Sequence, residues 1–98
     1  MPSPQLSLGE LTVVSAKGTE EGTTTLTVTP EIETGNKYKY KVGDAAEEVT
    51  FGQNVQNWSL WDGEADIEAA SDKVLTLVEC TSDYKAVNAG DVTVVSND

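Results

Sequence analysis

The stretch Lys37-Tyr38-Lys39-Tyr40-Lys41-Val42 alternates charged and apolar side chains over six residues. Successive side chains of a β-strand point to opposite faces, so this alternation predicts a strand with one buried face. The residues expected in the core are Tyr38, Tyr40 and Val42, and those expected in solvent are Lys37, Lys39 and Lys41. The lysine face has two interpretations: a solvated face that protects a sheet edge, or a docking stripe for an acidic neighbour.

Similar strand-like runs recur along the chain, separated by turn residues such as Gly, Pro, Asn and Asp. The predicted strands are Glu10–Ala16, Thr23–Thr29, Lys37–Val42, Glu47–Phe51, Val74–Cys80, Lys85–Asn88 and Asp91–Ser96. Val and Thr, with 12 copies each, fit pleated and half-buried surfaces. Short strands at this spacing predict an all-β antiparallel fold with negligible helix, either a β-sandwich of about seven strands or a small barrel.

The run Val74–Val78 is almost continuously apolar and is expected to be the central strand. We expect Val74, Val78 and Cys80 to face inward, because that register leaves Glu79 in solvent. Cys80 is then a small core residue. Residues 1–9 are expected to form a flexible lead-in, and residues 10–98 a single domain.

The composition argues against an enzyme. The chain has 98 residues, no His, no Arg and one Cys, so Ser-His and Cys-His pairs and the common zinc sites are excluded. It contains no glycine-rich phosphate loop. No catalytic residue, cofactor or metal is therefore expected, and the single Cys80 cannot form an intrachain disulfide.

The charge balance disfavours two classes of partner. Seventeen acidic residues against six lysines give a net charge of −11, which repels nucleic acid and anionic lipid. No apolar stretch reaches the roughly 20 residues that cross a membrane. The start lacks the basic and apolar regions of a secretory signal, so we expect either a cytoplasmic protein released by lysis or a piece of a longer chain.

Two segments between the predicted strands have binding potential. Trp58 and Trp61 are either an exposed platform for a sugar or structural plugs of the sandwich. We expect at least one to be buried, and Trp61 to be structural. The acidic run of residues 62–68 could present carboxylates to Ca²⁺, but it lacks EF-hand spacing and is expected to be a solvated loop.

Several passages carry a family resemblance. They are Gly22–Pro30, Gly35–Gly43, Trp61–Ile67, Val74–Cys80 and Lys85–Val95. In these passages the chain resembles small immunoglobulin-like modules of bacteriophages and prophages of Gram-positive bacteria, which accompany head-fibre, capsid or tail proteins. The resemblance implies an immunoglobulin-like β-sandwich with no catalytic residues.

Two functions are expected from these observations. The first, implied by the resemblance, is a structural or display module of a virion that binds capsid or tail components and adheres weakly. The alternative is a carbohydrate-binding or adhesin module of a bacterial cell-surface protein. The candidate binding residues are Trp58, Trp61, Lys37, Lys39 and Lys41.

Overall fold

A computed structural model describes residues 8–29, 32–63 and 65–97, which form eight β-strands and no helix. The strands are β1 (Gly9–Glu10), β2 (Thr12–Lys17), β3 (Thr23–Thr29), β4 (Lys37–Gly43), β5 (Ser59–Trp61), β6 (Ile67–Glu68), β7 (Val74–Cys80) and β8 (Ala86–Thr93). Within these residues, no helix could span a membrane. The all-β prediction is confirmed.

The described strands form two sheets packed face to face. The larger sheet has the order β1-β8-β7-β4-β5, and the smaller has the order β2-β3-β6. The pairs are antiparallel, except that β1 runs parallel to β8 through Gly9↔Asn88 and Glu10↔Ala89. Val13 and Ile67 of the smaller sheet meet Leu75 and Leu77 of the larger one in the main core. The fold is thus the predicted immunoglobulin-like β-sandwich.

The central strand β7 is buried on both faces. Leu75 and Leu77 point into the main core, whereas Val78 and Cys80 belong to a second apolar cluster with Val55. This second cluster lies on the outer face of the larger sheet, beneath residues 44–58, which we call the outer segment. Cys80 is fully buried, as predicted, and burial raises the pKa of its thiol above the ordinary value.

The predicted strand Glu47–Phe51 is wrong, because these residues lie over the sheet instead of pairing within it. The Glu47 amide donates to the Thr76 hydroxyl of β7 at 2.8 Å, and Val49 packs against the second cluster. An apolar outer face on β7 has to be covered, and the outer segment is the part of the chain that covers it.

The two strands predicted over Lys85–Asn88 and Asp91–Ser96 are a single strand, β8. It continues through Gly90, which sequence reasoning treated as a break. A Cβ atom at Gly90 would lie only 2.2 Å from the carbonyl oxygen of Leu11. Glycine is present here because another backbone approaches closely, so it does not mark a turn.

The prediction that Glu79 is in solvent is wrong, since its side chain is only 1% exposed. Its carboxylate accepts hydrogen bonds from the Glu33 amide at 3.2 Å, Asn36 Nδ2 at 2.7 Å and Asn88 Nδ2 at 3.1 Å. A buried carboxylate is tolerable when donors satisfy it, and these come from the loop before β4 and from β8. Glu79 therefore ties that loop to the sandwich.

The start of the fold lies within the predicted lead-in 1–9. Residues 1–7 are outside the described residues. Leu8 packs against the second cluster, and Gly9 begins β1.

Candidate functional site

Trp61 is a structural residue of the core. It lies on β5 with 5% of its side chain exposed, and its indole Nε1 donates to the Ala65 carbonyl at 2.7 Å. Its ring packs on Tyr38 of β4 at 5.2 Å between centroids, tilted by 43°. The prediction that at least one tryptophan is buried is confirmed, and the small part of Trp61 that stays accessible borders a surface pocket with Tyr38 and Leu60.

Trp58 is placed differently, in the turn that leads into β5. Its amide donates to the Val55 carbonyl at 3.0 Å, and its half-buried indole packs against the second cluster. The Lys41 ammonium lies 5.9 Å from the centroid of this indole. Trp58 therefore presents part of its ring at the surface beside a cation.

The three lysines of β4 do not form an exposed stripe. Lys39 is 7% exposed, and its Nζ donates to the carbonyls of Trp58 at 3.1 Å and Gln56 at 3.4 Å. The prediction that Lys39 faces solvent is wrong, because the outer segment folds over this face and its carbonyls bind the ammonium.

The lysines on either side of Lys39 are less buried. Lys37 is half-buried, and its ammonium lies 4.9 Å from the Tyr84 ring centroid. The ammonium of the buried Lys39 lies at the same distance from this ring, a distance typical of cation–π contacts. Lys41 is exposed, with Glu47 at 3.3 Å. Only Lys41 of this set points freely outward.

The face of β4 that was predicted to lie in the core is only partly buried. Tyr38 is buried as expected, but Tyr40 and Val42 are half-buried and pack at the margin of the main core. Their position at the margin follows from the shape of the smaller sheet, whose strand β6 is only two residues long. This end of the sandwich is therefore open.

A surface groove of about 630 Å³ occupies this opening. Four parts of the chain line it: β4, the outer segment, the first residue of β5, and β6. The lining residues are Tyr40, Lys41, Val42, Asn54, Asn57, Trp58, Ser59 and Glu68. We call it the Trp58 groove, and it unites two of the predicted binding residues, Trp58 and Lys41.

Sequence reasoning missed the polar lining of the groove. Asn54, Asn57 and Ser59 flank Trp58 in sequence, but Glu68 reaches the groove only because β6 pairs with β3 at Thr23 and Thr24. The polar residues next to Trp58 in the sequence could have indicated a binding site at this position. Nothing local indicates that Glu68 joins it.

Two carboxylates of the acidic run of residues 62–68 accept hydrogen bonds within the fold. Asp62 Oδ1 accepts from the Ala65 amide at 2.8 Å. Asp66 Oδ2 accepts from the Thr19 hydroxyl at 2.6 Å and the Thr19 amide at 2.7 Å, and these bonds hold the pKa of Asp66 below its ordinary value. Among the described residues, no group of three or more acidic or cysteine side chains could hold a metal ion.

The groove offers binding chemistry. It brings together an aromatic ring, side-chain amides, a hydroxyl, one carboxylate and one ammonium. The chain has no histidine to act as a base for Ser59. The arrangement suits a small polar ligand held by stacking and hydrogen bonds.

Comparison with known proteins gives a family and a fold. The chain matches the family "S-layer protein SbsC C-terminal domain" over residues 16–97. Its fold is similar to the crystal structure of the S-layer protein SbsC, domains 7, 8 and 9, with a TM-score of 0.70 and 24% sequence identity; the match covers 95% of this chain and 28% of that chain. A structure of surface layer protein SbsC, domains 4–9, matches with a TM-score of 0.69 and 24% identity, over 94% of this chain and 15% of that one. No curated protein matches the chain.

The resemblance to phage and prophage modules is wrong. The family match over residues 16–97 is to an S-layer protein, and both structural neighbours are S-layer domains. The passages that suggested phage modules are strand and turn patterns, which any small β-sandwich needs for strand pairing. The virion location and the capsid or tail partners lose their support with that resemblance.

Proposed function

The chain belongs to the family of the S-layer protein SbsC C-terminal domain, and we propose that it is a non-catalytic structural module of a bacterial surface-layer protein. The observation that carries this proposal is the family match over residues 16–97. The proposed location is the bacterial cell surface, which was the alternative expected from the sequence. The proposed partners are neighbouring domains of a longer chain, since this chain spans 28% of the solved SbsC segment it resembles.

The direction of the strands supports a place in a linear series of domains. The chain enters the fold at Gly9, beside Asn88 near the beginning of β8, and runs parallel to that strand. It leaves the fold past the other end of β8, where Asn97 donates its amide to the Thr23 carbonyl. Nine residues of extended chain span on the order of 30 Å. Entry and exit therefore lie near opposite ends of β8, as connection in series requires.

The exit of the chain is firmly attached. The Asn97 side chain donates to the Gly18 carbonyl at 3.0 Å, and the Val95 amide donates to the Ser15 hydroxyl at 2.9 Å. Ser71 and Ser96 exchange a hydrogen bond at 2.9 Å. The first two bonds fix Asn97 and Val95 against the β2–β3 hairpin, and the third fixes Ser96 against the turn before β7. A following domain would therefore be held at a defined orientation.

The location can be tested on intact cells that produce the protein. An antibody raised against the purified domain should label the outside of intact cells by immunogold electron microscopy, with no increase after the cells are opened. Washing with a denaturant that breaks noncovalent contacts should remove the label. Label confined to opened cells, or label that co-sediments with phage particles, would contradict the proposal.

A further inference from the structure

The Trp58 groove combines features that the structural role does not use. Trp58 packs against the second cluster, yet part of its indole stays exposed at the groove. A large aromatic ring left at the surface and bordered by polar groups is a typical place for recognition.

The polar side chains around Trp58 fall into two groups. Asn54 has a structural task, because its Oδ1 accepts from the Gln56 amide at 2.9 Å and shapes the turn. Asn57, Ser59 and Glu68 are exposed, and within residues 8–29, 32–63 and 65–97 their side chains have no hydrogen-bond partner in the protein. Amide, hydroxyl and carboxylate groups therefore converge on the groove with their bonding capacity unused.

The charge of the groove narrows the class of ligand. The lining residues contribute one ammonium, Lys41, and one carboxylate, Glu68, and Lys41 is also paired with Glu47 at 3.3 Å, so the groove has no excess of positive charge. The chain as a whole has a net charge of −11, which disfavours nucleic acids and other polyanions. A neutral ligand with many hydroxyl groups fits this lining best.

We propose that the Trp58 groove binds one pyranose unit of a neutral oligosaccharide. The apolar C–H face of the sugar would stack on the Trp58 indole, and its hydroxyl groups would bond to Asn57, Ser59 and Glu68. The Lys41 ammonium lies 5.9 Å from the ring centroid and forms an exposed ion pair with Glu47; it has three N–H donors, so it could also donate to a further hydroxyl. Trp61 takes no part, because its ring is buried and its Nε1 is bonded to Ala65.

The experiment is a sugar titration of the purified ¹⁵N-labelled domain, followed by NMR. The two tryptophans give two indole N–H signals, and a Trp58→Phe variant identifies which one belongs to Trp58. The probes are the tetrasaccharides chitotetraose, cellotetraose, mannotetraose and maltotetraose. At least one of them should shift the Trp58 signal in a saturable way and leave the Trp61 signal in place.

Variants of exposed groove residues separate binding from folding. Asn57→Ala and Glu68→Ala should each weaken binding by about tenfold, the effect of losing a hydrogen bond worth roughly 1.4 kcal/mol, with unchanged melting temperatures. Gln56→Ala is the matched control, since Gln56 is exposed beside Asn57 but does not line the groove. It should bind like the original protein.

Two results would overturn the proposal. One is that none of the four tetrasaccharides moves the Trp58 signal. The other is that a shift survives at full strength in the Asn57→Ala, Glu68→Ala double variant, which would place the site elsewhere. The titration uses the isolated domain in solution, so its outcome does not depend on where the cell places the protein.

Discussion

The Glu79 carboxylate and the Asn36 side-chain amide, 43 residues apart in sequence, lie 2.7 Å from each other inside the protein. Glu79 belongs to the central strand and Asn36 to the turn before β4, so this contact joins an irregular loop to the most buried element. The Glu33 amide completes the attachment from the same loop.

Removing the Glu79 carboxylate should destabilise the fold strongly. Glu79→Ala removes the acceptor for the Asn36 and Asn88 side-chain amides and the Glu33 backbone amide and empties a fully buried site. It should cost about 3 kcal/mol or more in urea unfolding. Glu79→Gln, which keeps the shape and one acceptor oxygen, should cost about 1–2 kcal/mol. Glu48→Gln, at an exposed position, is the control and should stay within about 0.5 kcal/mol. Equal effects at positions 79 and 48 would show that the Glu79 contacts contribute nothing.

Replacing Lys39 should lower the free energy of unfolding much more than replacing Lys41, although both residues lie on β4. Lys39→Met removes the ammonium that satisfies the carbonyls of Gln56 and Trp58, and should lower the free energy of unfolding by about 1–3 kcal/mol. Lys41→Met removes an exposed ion pair and should change it by no more than about 0.5 kcal/mol. Chemical denaturation of both variants checks this, and similar losses would mean that the outer segment does not cover Lys39.

Truncating Trp58 and truncating Trp61 should lower the free energy of unfolding by different amounts, measured by chemical denaturation. Trp61→Ala empties a buried site and should cost about 3–5 kcal/mol, whereas the half-buried Trp58 should cost less when truncated. Trp61→Phe keeps most of the packing but loses the bond to the Ala65 carbonyl, and should cost about 1 kcal/mol. In the native protein the emission that remains in Trp58→Phe should be blue-shifted and poorly quenched by acrylamide. Ready quenching in that variant would show that Trp61 is exposed.

Asp66 should make the protein sensitive to acid. Hydrogen bonds from Thr19 hold the pKa of Asp66 below its ordinary value in the folded state, so its stabilisation is present above its unfolded pKa and is lost as the pH falls through the folded one. Asp44 acts in the same direction through its hydrogen bond and ion pair with Lys73. Thermal unfolding followed from about pH 5 downward should show a shallower loss of stability in Asp66→Asn.

The control for the acid experiment is Asp83→Asn. Asp83 is exposed in the turn before Tyr84, and in the described part of the chain it makes no hydrogen bond or ion pair. This variant should follow the pH dependence of the original protein. An identical curve for Asp66→Asn would contradict the assigned role of Thr19.

The Cys80 thiol should report global unfolding. It is fully buried and burial raises its pKa, so a maleimide should label it only at denaturant concentrations that unfold the domain. A Leu60→Cys variant in a Cys80→Ala background is the control, because Leu60 is 64% exposed and its replacement should react at once. Rapid labelling of Cys80 in native buffer would disprove its burial.

The fold class could be predicted because the alternation of apolar and polar residues is a local property of each strand. The period of two in residues 37–42 correctly located β4 and the burial of Tyr38, and the apolar run of residues 74–78 located the central strand. The burial of Lys39 and Glu79 could not be predicted, since each depends on a distant segment that supplies its hydrogen-bond partners. The expectation that Glu79 faces solvent assumed that only one face of β7 is buried. Because both faces are buried, neither register of the strand leaves Glu79 in solvent.

The candidate groove was predictable only in part. Trp58 and Lys41 stood out because tryptophans and a lysine-rich strand are uncommon, and Trp61 was correctly expected to be the structural tryptophan. Glu68 enters the groove through the β3–β6 pairing, which joins residues more than forty positions apart. The short strands β5 and β6 lacked a periodic signal long enough to be recognised.

The short strands at the sheet borders have a consequence for behaviour at high concentration. Within the described residues, three of the four sheet borders are short: β1 and β5 border the larger sheet with two and three residues, and β6 borders the smaller sheet with two. The fourth border, β2, has six residues, and the chain past β8 lies beside it, where the Val95 amide donates to the Ser15 hydroxyl at 2.9 Å. Short border strands offer few unpaired backbone N–H and C=O groups to another chain. Copies of the domain therefore resist edge-to-edge strand pairing and amyloid-like stacking. Crowded molecules of this kind can lie side by side and remain separate folded units.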